Sequence, residues 1–109
     1  MSRYRKSHDF LTNYQLFIQE TARVKAKYWY ACLGLAGEVG EVIEVVKKLV
    51  RDSDSKMTPE IREKIKLELG DVLWYAGRLM GELDLTFREV IEANIDKLTD
   101  RKLHGKVTG

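Results

Sequence analysis

The chain has 109 residues, 44% hydrophobic and 33% charged, with 19 basic and 17 acidic side chains and a net charge of +2. This describes one folded domain rather than a disordered segment, and the balanced charge gives no electrostatic sign of a nucleic-acid partner. The single cysteine, Cys32, excludes a disulfide framework and suits a reducing cytoplasm, and no run approaches the roughly 18 apolar residues of a membrane span.

Residues 1–8 read as a loosely held basic arm, with no apolar run to make a signal peptide. A first helix is predicted from about Phe10 to Lys25, because Phe10, Tyr14, Phe17 and Ile18 recur at helical spacing; Thr12-x-x-Gln15 is a capping-box candidate if it starts late. A second helix is predicted from Trp29 to Arg51. The polar run Asp52–Met57 connects it to a third, which opens at Thr58-Pro59, an N-cap followed by proline at the first helical position, and continues to about Gly81. Thr86-x-x-Glu89 is a capping-box signal for a fourth helix ending near Lys102, and residues 106–109 read as a frayed tail. Nothing alternates with a period of two, so the expected fold is all-α: a four-helix, bundle-like module spanning 9–105.

Carboxylates fall where apolar residues belong. On the second helix Ala31, Leu35, Val42, Val46 and Leu49 form an apolar stripe; Glu38 lies inside it and Glu41 on its margin beside Val45, while Glu44, Lys47 and Arg51 lie opposite. On the third helix Ile61, Ile65, Val72, Ala76 and Leu79 form the stripe, with Glu68 inside and Asp71 at its edge beside Tyr75. Unpaired carboxylates are expensive to bury, and four together raise one another's pKa or share a cation. All the candidate ligands are oxygen donors without histidine or cysteine, which favours Mg²⁺ or Mn²⁺ over zinc. The fourth helix adds the opposite sign: Asn94 and Arg101 lie in its stripe of Phe87, Val90, Ile91, Ile95 and Leu98, with Lys97 on the margin. Core donors beside an acid–metal cluster suit an anionic ligand such as a polyphosphate, although the same residues also suit salt bridges to the acids.

Other residues have ordinary readings. Cys32 reads as a small packing residue, and His8 and His104 fall in the termini, away from any metal. Trp29, Tyr30 and Tyr75 have the chemistry to stack a base, but aromatics at helical spacing usually belong to a core. Gly34, Gly37, Gly40, Gly70, Gly77 and Gly81 each cost roughly 1 kcal/mol within a helix, a penalty that close helix approach or room for a ligand would justify. Leu67, Trp74, Ile43 and Val50 widen the apolar arcs, so a homo-oligomer is expected.

The run Gly34-Leu35-Ala36-Gly37-Glu38-Val39-Gly40-Glu41-Val42, followed by Glu68-Leu69-Gly70-Asp71-Val72-Leu73-Trp74-Tyr75, resembles the MazG-like nucleotide pyrophosphohydrolases, an all-α superfamily marked by ExxE and ExxD pairs. The late Asn94-x-x-Lys97-Leu98-x-x-Arg101 run is also similar to that family, so the resemblance spans about residues 10–105. It implies Mg²⁺-dependent hydrolysis of a nucleoside triphosphate to the monophosphate and pyrophosphate, in the manner of nucleotide-pool house-cleaning. It implies metal ligation by Glu38, Glu41, Glu68 and Asp71, and phosphate or nucleotide binding by Asn94, Lys97 and Arg101, with Lys48 a further phosphate candidate. It also implies a homodimer or homotetramer whose pockets a neighbouring chain completes. The chain is a single module, without the second copy that longer members carry. Within the superfamily, phosphoribosyl-ATP and dUTP/dCTP pyrophosphatases are the alternatives; outside it, a non-catalytic nucleotide-binding helical module or a structural bundle with buried ion pairs.

Overall fold

Four helices follow one another: α1 (Phe10–Thr21), α2 (Tyr28–Asp52), α3 (Pro59–Glu82) and α4 (Phe87–Leu103). The computed structural model describes residues 9–22, 27–52 and 54–105, and no strand occurs among them. The expected basic arm over 1–8, with His8, and the expected tail over 106–109 lie outside the described residues.

Local chemistry sets the helix ends. Thr58 accepts from the Ile61 amide ahead of Pro59, whose missing N–H is no loss at a helix start. Thr86 and Glu89 close the expected reciprocal capping box on α4. Helix α1 starts at Phe10, as expected, so the capping box that a later start would have used does not form. Asp9, not Thr12, is its N-cap, accepting from the Leu11 amide at 3.1 Å and the Thr12 hydroxyl at 2.7 Å. Those bonds, with Arg88 nearby, hold the Asp9 carboxyl below its usual range despite partial desolvation. Gln15, released from capping, donates to the Leu85 carbonyl and accepts from the Phe87 amide, fastening the root of α4 to α1. Helix α1 stops at Thr21 rather than Lys25: Ala22 is extended, and the Thr21 hydroxyl turns back onto the carbonyls of Phe17 and Ile18.

Helices α2 and α3 form an antiparallel hairpin, the most extensive pairing in the chain. Its seam runs through Ala31, Leu35, Glu38, Val42, Val45 and Leu49 on α2 and Ile61, Ile65, Glu68, Val72, Tyr75 and Leu79 on α3, all buried or half-buried. Steps of four and three residues keep each stripe facing its partner. Val45 therefore points inward where the sequence reading chose Val46, which is exposed. Gly34 lies under the Tyr75 ring and Gly77 under Ile18 and Phe87, so a methyl group at either would collide. These two glycines serve close approach; at Gly37, Gly40, Gly70 and Gly81 an added methyl would meet nothing.

Helix α1 lies on α3, burying Ile18, and the Trp74 indole N–H donates to the Thr21 hydroxyl at 2.9 Å. Trp74, one of the residues expected to widen the apolar arc of α3, is half-buried and bonded to α1. Helix α4 touches α1 only near its root, where Phe87 is buried; residues 91–105 are exposed throughout. Cys32 is exposed as well, not packed. Among the described apolar residues only Ile18, Ala31 and Phe87 are buried. Ile43 and Val50 on α2, Leu67 on α3 and Ile95 on α4 remain 56–62% exposed. The radius of gyration is 16.8 Å, against roughly 13 Å for a closed domain of this length. No helix among the described residues is long and apolar enough to cross a membrane.

Candidate metal and phosphate site

The seam of the hairpin carries the chemistry. Glu38 and Glu68 occupy positions that hydrophobic side chains fill elsewhere along it, and both are half-buried; Asp71, one turn beyond Glu68, is exposed at the rim. Potential ligand oxygens of Glu38, Glu68 and Asp71 all lie within 4.8 Å of one another. No lysine or arginine pairs with any of the three among the described residues. Burial, then the charges of Asp71, Glu68 and Glu41, push the Glu38 carboxyl above the usual carboxylate range. A cluster of hard oxygen donors with uncompensated repulsion suits a hard dication. The residues present therefore fit a divalent ion.

Glu41 stands apart. The sequence reading gathers four acids, whereas the structure gathers three; Glu41 is exposed on the flank of α2, outside the trio, although its charge reaches Glu38. Three residues along a helix turn a side chain by about 60° from its starting face, enough to leave a narrow seam. An added methyl at Gly37 or Gly40, beside Glu38 and Glu41, would meet nothing within 4 Å, and the same holds at Gly70, beside Asp71.

The cationic half of the expected site is not assembled within this chain. Asn94, Lys97 and Arg101 are exposed on the part of α4 that leaves the body of the molecule, instead of lying in a core beside the acids. Their stripe is present, but among the described residues no other helix covers it. Lys48, also exposed, lines a cleft of about 400 Å³ between α2 and α3 with Val45, Leu49, Asp52, Ile61 and Lys64. Trp29 and Tyr30 are exposed near the start of α2, while Tyr75 is half-buried in the seam. His104, at the end of α4, lies 3.3 Å from the Asp100 carboxylate, away from the trio.

One neighbour of the cluster escaped the sequence reading. Tyr14 of α1 is half-buried, and its hydroxyl donates to the carbonyl of Gly70, the residue before Asp71. Burial, helped by the Asp71 charge, pushes its phenol above the usual value. A tyrosine within an otherwise apolar stripe was the available signal, since a buried phenol needs a polar partner.

The profile of the MazG nucleotide pyrophosphohydrolase domain matches residues 30–106, a stretch that holds the hairpin, the acid trio and α4. The chain belongs to this family. It is 42% identical over 80 residues to the Gene 37 protein of Mycobacterium phage L5, a match covering 73% of this chain and 70% of that protein. No solved structure gives a significant match.

Proposed function

We propose that the chain is a Mg²⁺-dependent nucleoside triphosphate pyrophosphohydrolase, with Mn²⁺ as a substitute ion. One water is consumed as the bond between the α-phosphorus and the bridging oxygen breaks, yielding the nucleoside monophosphate and pyrophosphate. The observation that carries this reading is the convergence of Glu38, Glu68 and Asp71, unpaired by any cation, within a chain of the MazG family.

Glu38, Glu68 and Asp71 would hold the ion, with Glu41 available from the flank. A dication held there would supply charge neutralisation for the phosphates and acidify a nearby water. Glu38 or Glu41 orients the attacking water and takes its proton; Glu41, exposed and outside the trio, is free for that work. Lys48, on a cleft that Lys64 also lines, is the further candidate for phosphate binding.

Asn94, Lys97 and Arg101 require a second chain. Exposed apolar stripes on α2, α3 and α4 lie where an unaccompanied chain would keep them in water. Packing them against a second copy buries those stripes and brings the partner's late cations to the acid cluster, in a homodimer or homotetramer. The cytoplasm, where nucleoside triphosphates reside, is the expected place of action.

The test is a panel of standard and modified nucleoside triphosphates, including dUTP, dCTP and phosphoribosyl-ATP, incubated with Mg²⁺ and resolved by product. The expected products are monophosphate and pyrophosphate from at least one substrate, with none after chelation. Diphosphate and orthophosphate as the products, or no turnover across the panel, would refute the reading.

A further inference from the structure

Helix α1 contributes no acid to the trio, yet Tyr14 brings a hydroxyl to its edge. The phenol donates to the Gly70 carbonyl at 3.5 Å, the outer limit of a hydrogen bond. Its ring lies between two others: the Phe17 ring is 6.2 Å away, centroid to centroid, and Phe87, the buried root of α4, is 5.8 Å away. The surface of α3 at Gly70 is open, since a methyl group there would meet nothing within 4 Å. A half-buried hydroxyl thus has a weak partner and open space at Gly70, the residue before Asp71.

We infer that Tyr14 is a substrate-contacting residue whose hydroxyl leaves the Gly70 carbonyl on nucleotide binding and donates to an oxygen of the polyphosphate. This rests on the reading above, in which the acid cluster holds the ion and the phosphates. A phosphate oxygen is a charged acceptor and forms a shorter, stronger bond than a neutral carbonyl at the distance limit. A phenol suits the position because it is a neutral donor at pH 7. A lysine there would pair with the carboxylates and compete with the ion for them.

Tyr14→Phe removes the hydroxyl and keeps the ring between Phe17 and Phe87. Calorimetric titration should compare wild type and variant for Mn²⁺ alone, for a non-hydrolysable nucleotide with Mg²⁺, and for inorganic tripolyphosphate with Mg²⁺. The expected result is a loss of about tenfold in affinity for both nucleotide and tripolyphosphate. Mn²⁺ affinity and melting temperature should not change, and KM for a turned-over substrate should rise with little change in kcat. Unchanged anion affinity would overturn the inference. So would a loss confined to the nucleotide, which would place the contact on the sugar or base, or a parallel loss of Mn²⁺ affinity, which would mean that Tyr14 acts through Asp71. If wild type binds neither Mn²⁺ nor nucleotide, the proposed function itself fails and the inference with it; that outcome is visible before the variant is made.

Discussion

The α2–α3 hairpin and helix α4 carry similar sequence patterns and meet different fates. Both regions place polar residues within apolar stripes. In the hairpin the two stripes face each other, and Glu38, Glu68 and Asp71 are drawn together. On α4 the stripe faces outward, and Asn94, Lys97 and Arg101 stay exposed beside Ile91, Ile95 and Leu98. Amphipathic patterning specifies that a face will be covered, not which chain covers it. The hairpin finds its cover within a few residues of connecting loop, whereas α4 is tied down only at Phe87 by Gln15 and the contacts around them.

The largest effect should come from attacking the hairpin. Glu38→Gln or Asp71→Asn should reduce pyrophosphate release by roughly 100-fold or more, the scale expected when a group that organises charge in the transition state is removed. Mg²⁺ should raise the melting temperature of wild type, and the same variants should lose that rise. Wild-type turnover in either variant would remove the trio from the reaction.

The α4 half of the comparison is broken by charge on its exposed stripe. Ile95→Lys alters a residue with no cover in the single chain, so the fold should survive. Light scattering at micromolar concentration should show wild type as a dimer or tetramer and the variant as a smaller species with at least tenfold lower kcat/KM. Mixing Glu38→Gln and Arg101→Ala chains, each expected to be impaired alone, should restore part of the activity if one chain lends its cations to the other's acids. A monomeric wild type would contradict this account of α4.

A smaller effect separates the two kinds of glycine. Gly77→Ala should lower stability by about 1–3 kcal/mol, because the methyl group overpacks against Ile18 and Phe87. Gly37→Ala, with open space around it, should leave stability unchanged or raise it by up to about 1 kcal/mol. Equal melting temperatures for the two variants would deny the close approach at Gly77.

The smallest effect is a dependence on pH. Glu38 binds its proton more tightly in the folded chain than in the unfolded one. Its contribution to metal-free stability is therefore fully present below the ordinary carboxylate value and lost as pH rises through the raised folded value. Without metal, Glu38→Gln should be the more stable protein at neutral pH, and the advantage should shrink toward acid pH. Thermal melts of both proteins across that range, in chelator, would show it; a constant difference would mean that Glu38 feels no such repulsion. Asp9 has the opposite sign, stabilising α1 above its ordinary value and losing that effect as pH falls.

Much of this was legible in the sequence because it is local. Thr58-Pro59 and Thr86-x-x-Glu89 announce helix starts through bonds within one turn, and both formed. Glu38 and Glu68 betrayed themselves by interrupting a helical period. What could not be read was non-local. Gln15, a capping candidate only for a later helix start, bonds instead to a carbonyl and an amide about 70 residues away. Val45 replaced Val46 on the inner face because seam geometry, not hydrophobicity, chooses between adjacent valines. Trp74 found its cover on α1 at Thr21, and Tyr14 reached Gly70 across helices, contacts that no periodicity encodes. The fate of α4 was least legible, since its stripe reads the same whether its cover is intramolecular or supplied by another copy.

Direct titration of Mn²⁺ into the purified chain, followed by electron paramagnetic resonance, addresses the central claim without reference to any substrate. Wild type should take up the ion, and the Glu38→Gln/Asp71→Asn double variant should bind it at least ten times more weakly while melting cooperatively. Equal affinity in the two proteins would mean that the gathered carboxylates hold no ion, and the account of this site would fail.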